Sequence, residues 1–168
     1  SVAERIEIRK GPAAVLYGNT PPGGLVNVVS KRPSNDAATL FGFSIGNNDS
    51  RELSVDSTGA IGNSDLSYRF VGLARERDGQ AVTTREERYV LAPSVRWDFT
   101  DRTALTLTGF YQDDPETGHY GAASPFGSLV PNPNGRLPTD FYDGDTNFES
   151  GDRRQRALGY TFEHSFDD

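Results

Sequence analysis

From residue 36 onward, apolar and polar positions alternate. Leu66, Tyr68, Phe70, Gly72 and Ala74 alternate with Ser67, Arg69, Val71, Leu73 and Arg75. Tyr89, Leu91, Pro93, Val95, Trp97 and Phe99 alternate with Val90, Ala92, Ser94, Arg96 and Asp98. Leu105, Leu107, Gly109 and Tyr111 do so with Thr106, Thr108, Phe110 and Gln112, and Leu158, Tyr160, Phe162, His164 and Phe166 with Ala157, Gly159, Thr161, Glu163 and Ser165. Residues 38–46 and 51–60 repeat the pattern more weakly. A period of two sends successive side chains to opposite faces of a strand. The pattern therefore predicts six strands, mostly about 9–13 residues long, where ordinary strands have about 5–6 and a tilted bilayer-crossing strand needs about 9–11.

Residues 1–33 have a different texture. Arg5-Ile6-Glu7-Ile8-Arg9 reads as a short alternating strand. Pro12 to Tyr17, with Pro near its start and Gly18 just past its end, predicts a helix of one to two turns. Pro21-Pro22-Gly23-Gly24 is a structural turn with no phosphate-loop pattern around it. Leu25-Val26-Asn27-Val28-Val29-Ser30 is a more continuous apolar run, the kind buried on both faces, and Lys31-Arg32-Pro33 ends it.

The connections between the later strands alternate in length. Asn47-Asn48-Asp49, Gly62-Asn63-Ser64 and Thr100-Asp101-Arg102 are tight, Arg77 to Arg85 is longer, and Asp113 to Asp152 is very long. Trp97, Phe99, Tyr111 and Phe166 sit near strand ends. One set of faces carries Arg69, Arg75, Arg96, Asp98 and Glu163 among small hydroxyl residues. Alternation alone also suits a soluble antiparallel sandwich. Aromatic strand ends, a wet opposite face and short-then-long connections favour an outer-membrane barrel, with Leu66, Tyr68 and Phe70 toward lipid and Arg69 and Arg75 toward the lumen.

Composition narrows the functions. The 168 residues contain 17 Lys or Arg against 24 Asp or Glu, a net charge of −7, which argues against nucleic-acid binding as the main task. There is no Cys, hence no disulfide framework and no thiol chemistry. No apolar run approaches a transmembrane helix. The charged first ten residues do not read as a signal peptide, and a chain that starts at Ser1 without any Met reads as processed or partial. His119 and His164 have no Ser or carboxylate pairing that would make a hydrolase. Asp140, Asp143, Asp145, Glu149 and Asp152 cluster in the long connection, but an EF-hand register counted from Asp143 puts Arg154 at position 12. A hydrated loop with no metal site is expected.

Residues 4–33, from Glu4-Arg5-Ile6-Glu7-Ile8-Arg9-Lys10-Gly11-Pro12 to Val28-Val29-Ser30-Lys31-Arg32-Pro33, strongly resemble the end of the plug domain in TonB-dependent siderophore receptors. Ser67 to Arg75, Leu91-Ala92-Pro93-Ser94, Pro115 to Gly121 and Asn132 to Phe141 resemble the first barrel strands and loops of the same family, closest to its ferrichrome and hydroxamate branch. The resemblance implies a mostly β chain. Residues 1–33 would be the C-terminal part of a mixed α/β plug domain. Residues 34–168 would be the first six antiparallel strands, with their external loops, of a 22-stranded transmembrane β-barrel. It implies a receptor that takes up a ferric siderophore across the bacterial outer membrane, not an enzyme, with no cofactor held by protein side chains. Its partners would be the ferric siderophore, TonB with its inner-membrane energising complex, and outer-membrane lipid. TonB would act at an N-terminal box lying outside residues 1–168. A passive porin or adhesin barrel is the alternative, against which residues 4–33 argue.

The resemblance also implies site residues. In the ferrichrome branch an aromatic pair in the third external loop contacts the siderophore, and the matching positions here are Tyr120 and Ala122. Tyr120 keeps the ring, whereas Ala122 stands where a Trp is expected, and His119 lies beside them. The family's plug carries an Arg before Gly-Pro that pairs with barrel carboxylates. Lys10 occupies that position, with Arg9 one residue earlier, so the pair forms the expected plug–barrel latch. Lys keeps the charge but loses the bidentate fork of Arg.

Overall fold

The computed structural model describes residues 2–12, 18, 21–118, 121 and 123–166. The chain forms two antiparallel sheets. Strands β1 (Ala3–Lys10) and β2 (Gly24–Ser30) make a two-stranded sheet. Strands β3 (Ala38–Ile45), β4 (Arg51–Ala60), β5 (Leu66–Asp78), β6 (Arg85–Thr100), β7 (Thr103–Thr117) and β8 (Arg153–His164) make a six-stranded meander in sequence order. Pro125–Ser128 forms a single helical turn whose Phe126 and Gly127 have non-helical backbone. Apart from Pro12, the helix expected at 12–17 lies outside the described residues.

In the small sheet Ile6 opposes Val28 and Ile8 opposes Val26. The expected turn is present: the Gly24 amide donates to the Pro21 carbonyl at 3.2 Å. Gly24 has φ +125°, and a Cβ there would run into the Arg9 carbonyl oxygen, so glycine is required. The expectation that β2 is buried on both faces is not met. Val26 and Val28 are exposed together with Ile6 and Ile8, because two paired strands bury neither face unless a further layer covers them.

The six strands of the large sheet have the expected order, and the last four are longer than expected. β5 continues to Asp78, β6 begins at Arg85, β7 runs to Thr117 and β8 begins at Arg153. The added ends carry charge instead of apolar alternation. Arg75–Glu52, Arg77–Glu86, Arg85–Glu76, Arg88–Asp114 and Arg154–Asp113 pair across neighbouring strands. The long connection therefore starts at Gly118, not at Asp113. One β6 residue, Arg88, opposes two on β7, Asp114 and Pro115. Such a bulge is a place where a strand tolerates Pro.

Pro93 sits in the middle of β6, which has a neighbour on each side, and cannot donate to a ladder. The β6–β7 pairing runs from Leu91↔Tyr111 to Ser94↔Thr108 and skips the two residues between them. The proline ring lies over Gly109, where a Cβ would stand 3.2 Å from Pro93 Cγ. Gly109 thus makes room for the proline.

The distribution of burial is inverted relative to a water-soluble sheet. Thr58, Ser67, Arg69, Val71, Val90, Ser94, Thr106 and Asp114 share one face, and the most buried residues of the chain lie there: Asp114 is 1% exposed and Ser67 2%. The opposite face carries Phe41, Leu53, Phe70, Leu91, Val95, Trp97, Leu107 and Tyr160, all exposed; Leu107 is 53% exposed and Trp97 48%. This face is one continuous apolar patch, far beyond scattered surface residues. Arg69 lies opposite to Tyr68 and Phe70, as the alternation predicts.

Two outcomes follow from this architecture. Gly109→Val should press on Pro93 and cost about 1–3 kcal/mol, and Pro93→Ala should recover part of the loss. The midpoint of heat-induced unfolding of the intact protein in membranes measures both. Residues 1–168 alone in water should not give a monodisperse monomer with a sharp melt, because the apolar face and the β3 and β8 edges stay open; sedimentation and scanning calorimetry check this.

Candidate functional site

Three connections gather at one end of the large sheet: residues 46–50, 79–84 and 118–152. Backbone hydrogen bonds tie them together. The Asp78 amide donates to the Asn48 carbonyl at 2.8 Å, and the Val82 amide to the Asp140 carbonyl at 2.9 Å. Loop 79–84 is itself closed by Gly79 donating to Thr84 at 2.8 Å and by the Thr84 hydroxyl donating to Ala81 at 2.6 Å.

Between these segments lies a cleft of about 520 Å³ lined by Asn47, Asn48, Gln80, Thr84, Phe141 and Asp143, with Gly121 and Ala123 on its rim. Arg77 and Glu86 also line it and pair with each other, Nε donating at 2.9 Å. Amides, hydroxyls and one aromatic ring suit recognition of a polar ligand by hydrogen bonds. Below the cleft, Arg88 grips Asp114 through both nitrogens at 2.9 Å while Gln112 donates to the same carboxylate at 2.8 Å. That arrangement satisfies a carboxylate almost wholly removed from solvent.

His119, Tyr120 and Ala122, the expected ligand residues, lie outside the described residues. Their described neighbours Gly121 and Ala123 border the cleft. The acidic residues of the long connection serve local turns. Asp145 accepts from the amides of Asn147, Phe148 and Glu149, and Tyr142 donates to Glu149 at 3.2 Å. Among the described residues no group of three His, Asp or Glu is placed to hold a metal ion.

The residues expected to latch the small sheet lie at the end of β1. Arg9 opposes Leu25 and its guanidinium lies 3.8 Å from Glu7, while Lys10 ends β1 opposite Gly24. The Arg5 guanidinium and the Asn27 amide hold the Glu7 carboxyl below the usual carboxylate range. Lys31 and Arg32 reach the large sheet. Lys31 Nζ lies 2.5 Å from Asp56 Oδ2, and Arg69 binds the same carboxylate through Nε and Nη2, each at 2.8 Å. Arg69 Nη1 also donates to the Arg32 carbonyl at 3.1 Å. The Ser34 amide donates to Thr58 Oγ1 at 2.9 Å, and that hydroxyl donates onward to the Tyr68 carbonyl at 2.8 Å. Arg32 approaches Glu163 at 3.4 Å, and Arg96 holds Glu163 at 2.7 Å. The sequence reading placed Arg69, Arg96 and Glu163 on the polar face but missed Asp56, the partner of Arg69. The available signal was an acid in the middle of β4, on a face where a buried charge needs a counter-charge.

Arg88→Met should strand Asp114 with Gln112 as its remaining donor and cost about 2 kcal/mol. Asp114→Asn in that background should return part of it, and the unfolding midpoint of the intact protein reads both.

No family model matches the chain. It is 40% identical over 167 residues to the ferrichrome outer membrane transporter/phage receptor of Escherichia coli strain K12, covering 98% of this chain and 22% of the relative. It is 38% identical over 165 residues to the ferrioxamine B receptor of Salmonella typhimurium strain SL1344, covering 98% and 24%. Its fold matches the ferripyoverdine receptor of the Pseudomonas aeruginosa outer membrane with a TM-score of 0.87 at 21% identity, covering 99% of this chain and 22% of that one. It matches the open form of the ferric-catecholate import receptor Fiu of Escherichia coli K12 with a TM-score of 0.80 at 26% identity, covering 99% and 26%. The chain thus spans about a quarter or less of the proteins it resembles, and over that span it is similar to outer-membrane siderophore receptors.

Proposed function

We propose that residues 1–33 form the end of a plug domain and residues 34–168 the first six strands of a 22-stranded barrel, in a receptor that imports a ferric siderophore. The observation that carries this reading is the inverted sheet, with buried hydroxyls and paired charges on one face and exposed aromatic and aliphatic side chains on the other. Lipid covers the apolar face. Tyr89 and Trp97 on β6 are eight positions apart, roughly 26 Å along the strand, which suits the apolar band of about 25 Å in outer-membrane barrels. The charged strand ends beyond Tyr89 then project from the membrane on the side of the long connections. Residues 31–34 lie on the polar face, where a lumen would hold a plug, and a passive porin has no use for such a seat.

The cleft among the three connections opens on that outer side. Tyr120, with His119 and Ala122, is assigned to ligand contact, since Gly121 and Ala123 in the same segment line the cleft. The ring packs on the apolar rim of a ferric chelate, and the hydroxyl donates one hydrogen bond. The siderophore brings its own iron ligands, so the protein supplies shape and hydrogen bonds instead of metal coordination. Lys10 and Arg9 face carboxylates of later barrel strands. Energy for release comes from TonB acting upstream of residue 1. The relatives named for ferrichrome and ferrioxamine support a hydroxamate as cargo, and Ala122 in place of a second aromatic argues for a cargo other than ferrichrome itself.

In the full-length receptor, Tyr120→Ala should weaken binding of the cognate ferric siderophore roughly 5- to 150-fold, the equivalent of about 1–3 kcal/mol for one central aromatic contact, with barrel assembly unchanged. Tyr142→Ala, in the same connection and bonded to Glu149, is the control and should leave binding intact. Equilibrium binding of radiolabelled ferric hydroxamates to cells measures both. Unchanged binding in the Tyr120 variant would remove the site assignment, and absence of any ferric-siderophore binding by the wild type would remove the receptor reading.

A further inference from the structure

Lys31 belongs to both sheets. Its backbone amide donates to the Val2 carbonyl at 3.1 Å, extending the β1–β2 ladder, while its ammonium sits on Asp56 of the large sheet. Of the next three residues, Arg32 and Ser34 are held differently, by backbone. The Arg32 carbonyl accepts from Arg69, and the Ser34 amide donates to Thr58.

We propose that Lys31 to Ser34 are a two-stage clasp, a releasable latch at Lys31 followed by a permanent seat at Arg32 to Ser34, that sets where movement of the small sheet stops. This rests on the receptor reading above. The asymmetry comes from how Asp56 is shared. Its two oxygens are already engaged by the Arg69 fork. When Lys31 leaves, Asp56 keeps a bidentate partner, so no carboxylate is stranded, and the departing ammonium is readily rehydrated. Departure of Arg32 and Ser34 has no such compensation. It would strand the third Arg69 donor and take the Ser34 amide from Thr58, on a face where Thr58 is only 7% exposed. Leaving buried polar groups unmade is the costly direction. The Arg32–Glu163 contact adds little to the seat, since both side chains are largely exposed. The small sheet can thus swing or unravel up to Lys31 while the chain stays seated at residue 32, which keeps the point of attachment on the wall fixed from one cycle to the next.

The test is force spectroscopy on the full-length protein in a lipid bilayer, pulled from a handle upstream of residue 1, with no siderophore present. In the wild type the last released segment should end at residue 31 or 32. Lys31→Met should shorten the lifetime of that last step at constant force about fivefold without changing the released length. Thr58→Val, which removes the seat's acceptor, should lengthen the release by up to about five residues, roughly 17 Å of extended chain. An unchanged lifetime in the Lys31 variant, an unchanged length in the Thr58 variant, or a wild-type release that ends elsewhere overturns the clasp. None of these outcomes depends on cargo, so failure of the clasp and failure of the receptor reading are told apart by the binding measurement on cells.

Discussion

Several polar groups on the crowded face of the large sheet are buried, among them Asp114, Ser67 and Thr58, and each of these has to find its partner within the protein. Everything else in the structure follows from meeting that demand. Asp114 is satisfied by Arg88 and Gln112, Asp56 by Arg69 and Lys31, and Thr58 by the Tyr68 carbonyl and the Ser34 amide. Small residues dominate where strands crowd, which is why Ser67, Ser94, Ala104 and Thr106 are among the most buried side chains. Most large apolar side chains take the other face, where the described chain leaves them exposed.

The same demand links the sheet to what lies against it. Asp56 and Thr58 are two residues apart on β4 and point the same way, and both receive groups from residues 31–34. The chain that leaves the small sheet therefore docks on the wall in a fixed register before entering β3. At the other end, paired charges carry β5, β6 and β7 beyond the apolar band and present the three connections that frame the cleft. Two Pro residues fit within these long strands because Gly109 lies under one and a bulge takes the other.

Much of this was legible in the sequence. Period two located all six strands of the meander and the polarity of their faces, and the tight turns fell where Gly, Asn and Asp cluster. Strand ends were misjudged wherever charge replaced alternation. Arg85-Glu86-Glu87-Arg88 reads as a polar loop until its partners on β5 and β7 are known, since those ion pairs join residues distant in sequence. β2 looked doubly buried because Val28 and Val29 are adjacent, yet the strand alternates. The cleft was legible only as a long polar connection, because its walls come from three segments. The resemblance pointed to Lys10 and Arg9 as the latch, while the Lys31–Asp56 contact was not legible, because Asp56 lies 25 residues further on.

The central claim is that the apolar face of the large sheet meets lipid and the polar face meets a wet lumen. Site-directed spin labels on the full-length protein in outer membranes test it most directly, placed singly at Leu91, Val95 and Leu107 on one face and at Ser94, Thr106 and Thr108 on the other. Relaxation by oxygen, which partitions into lipid, should dominate at the first three positions, and relaxation by a water-soluble nickel chelate at the second three. Equal accessibility on both faces, or nickel-dominated relaxation at Leu91, Val95 and Leu107, would contradict the account.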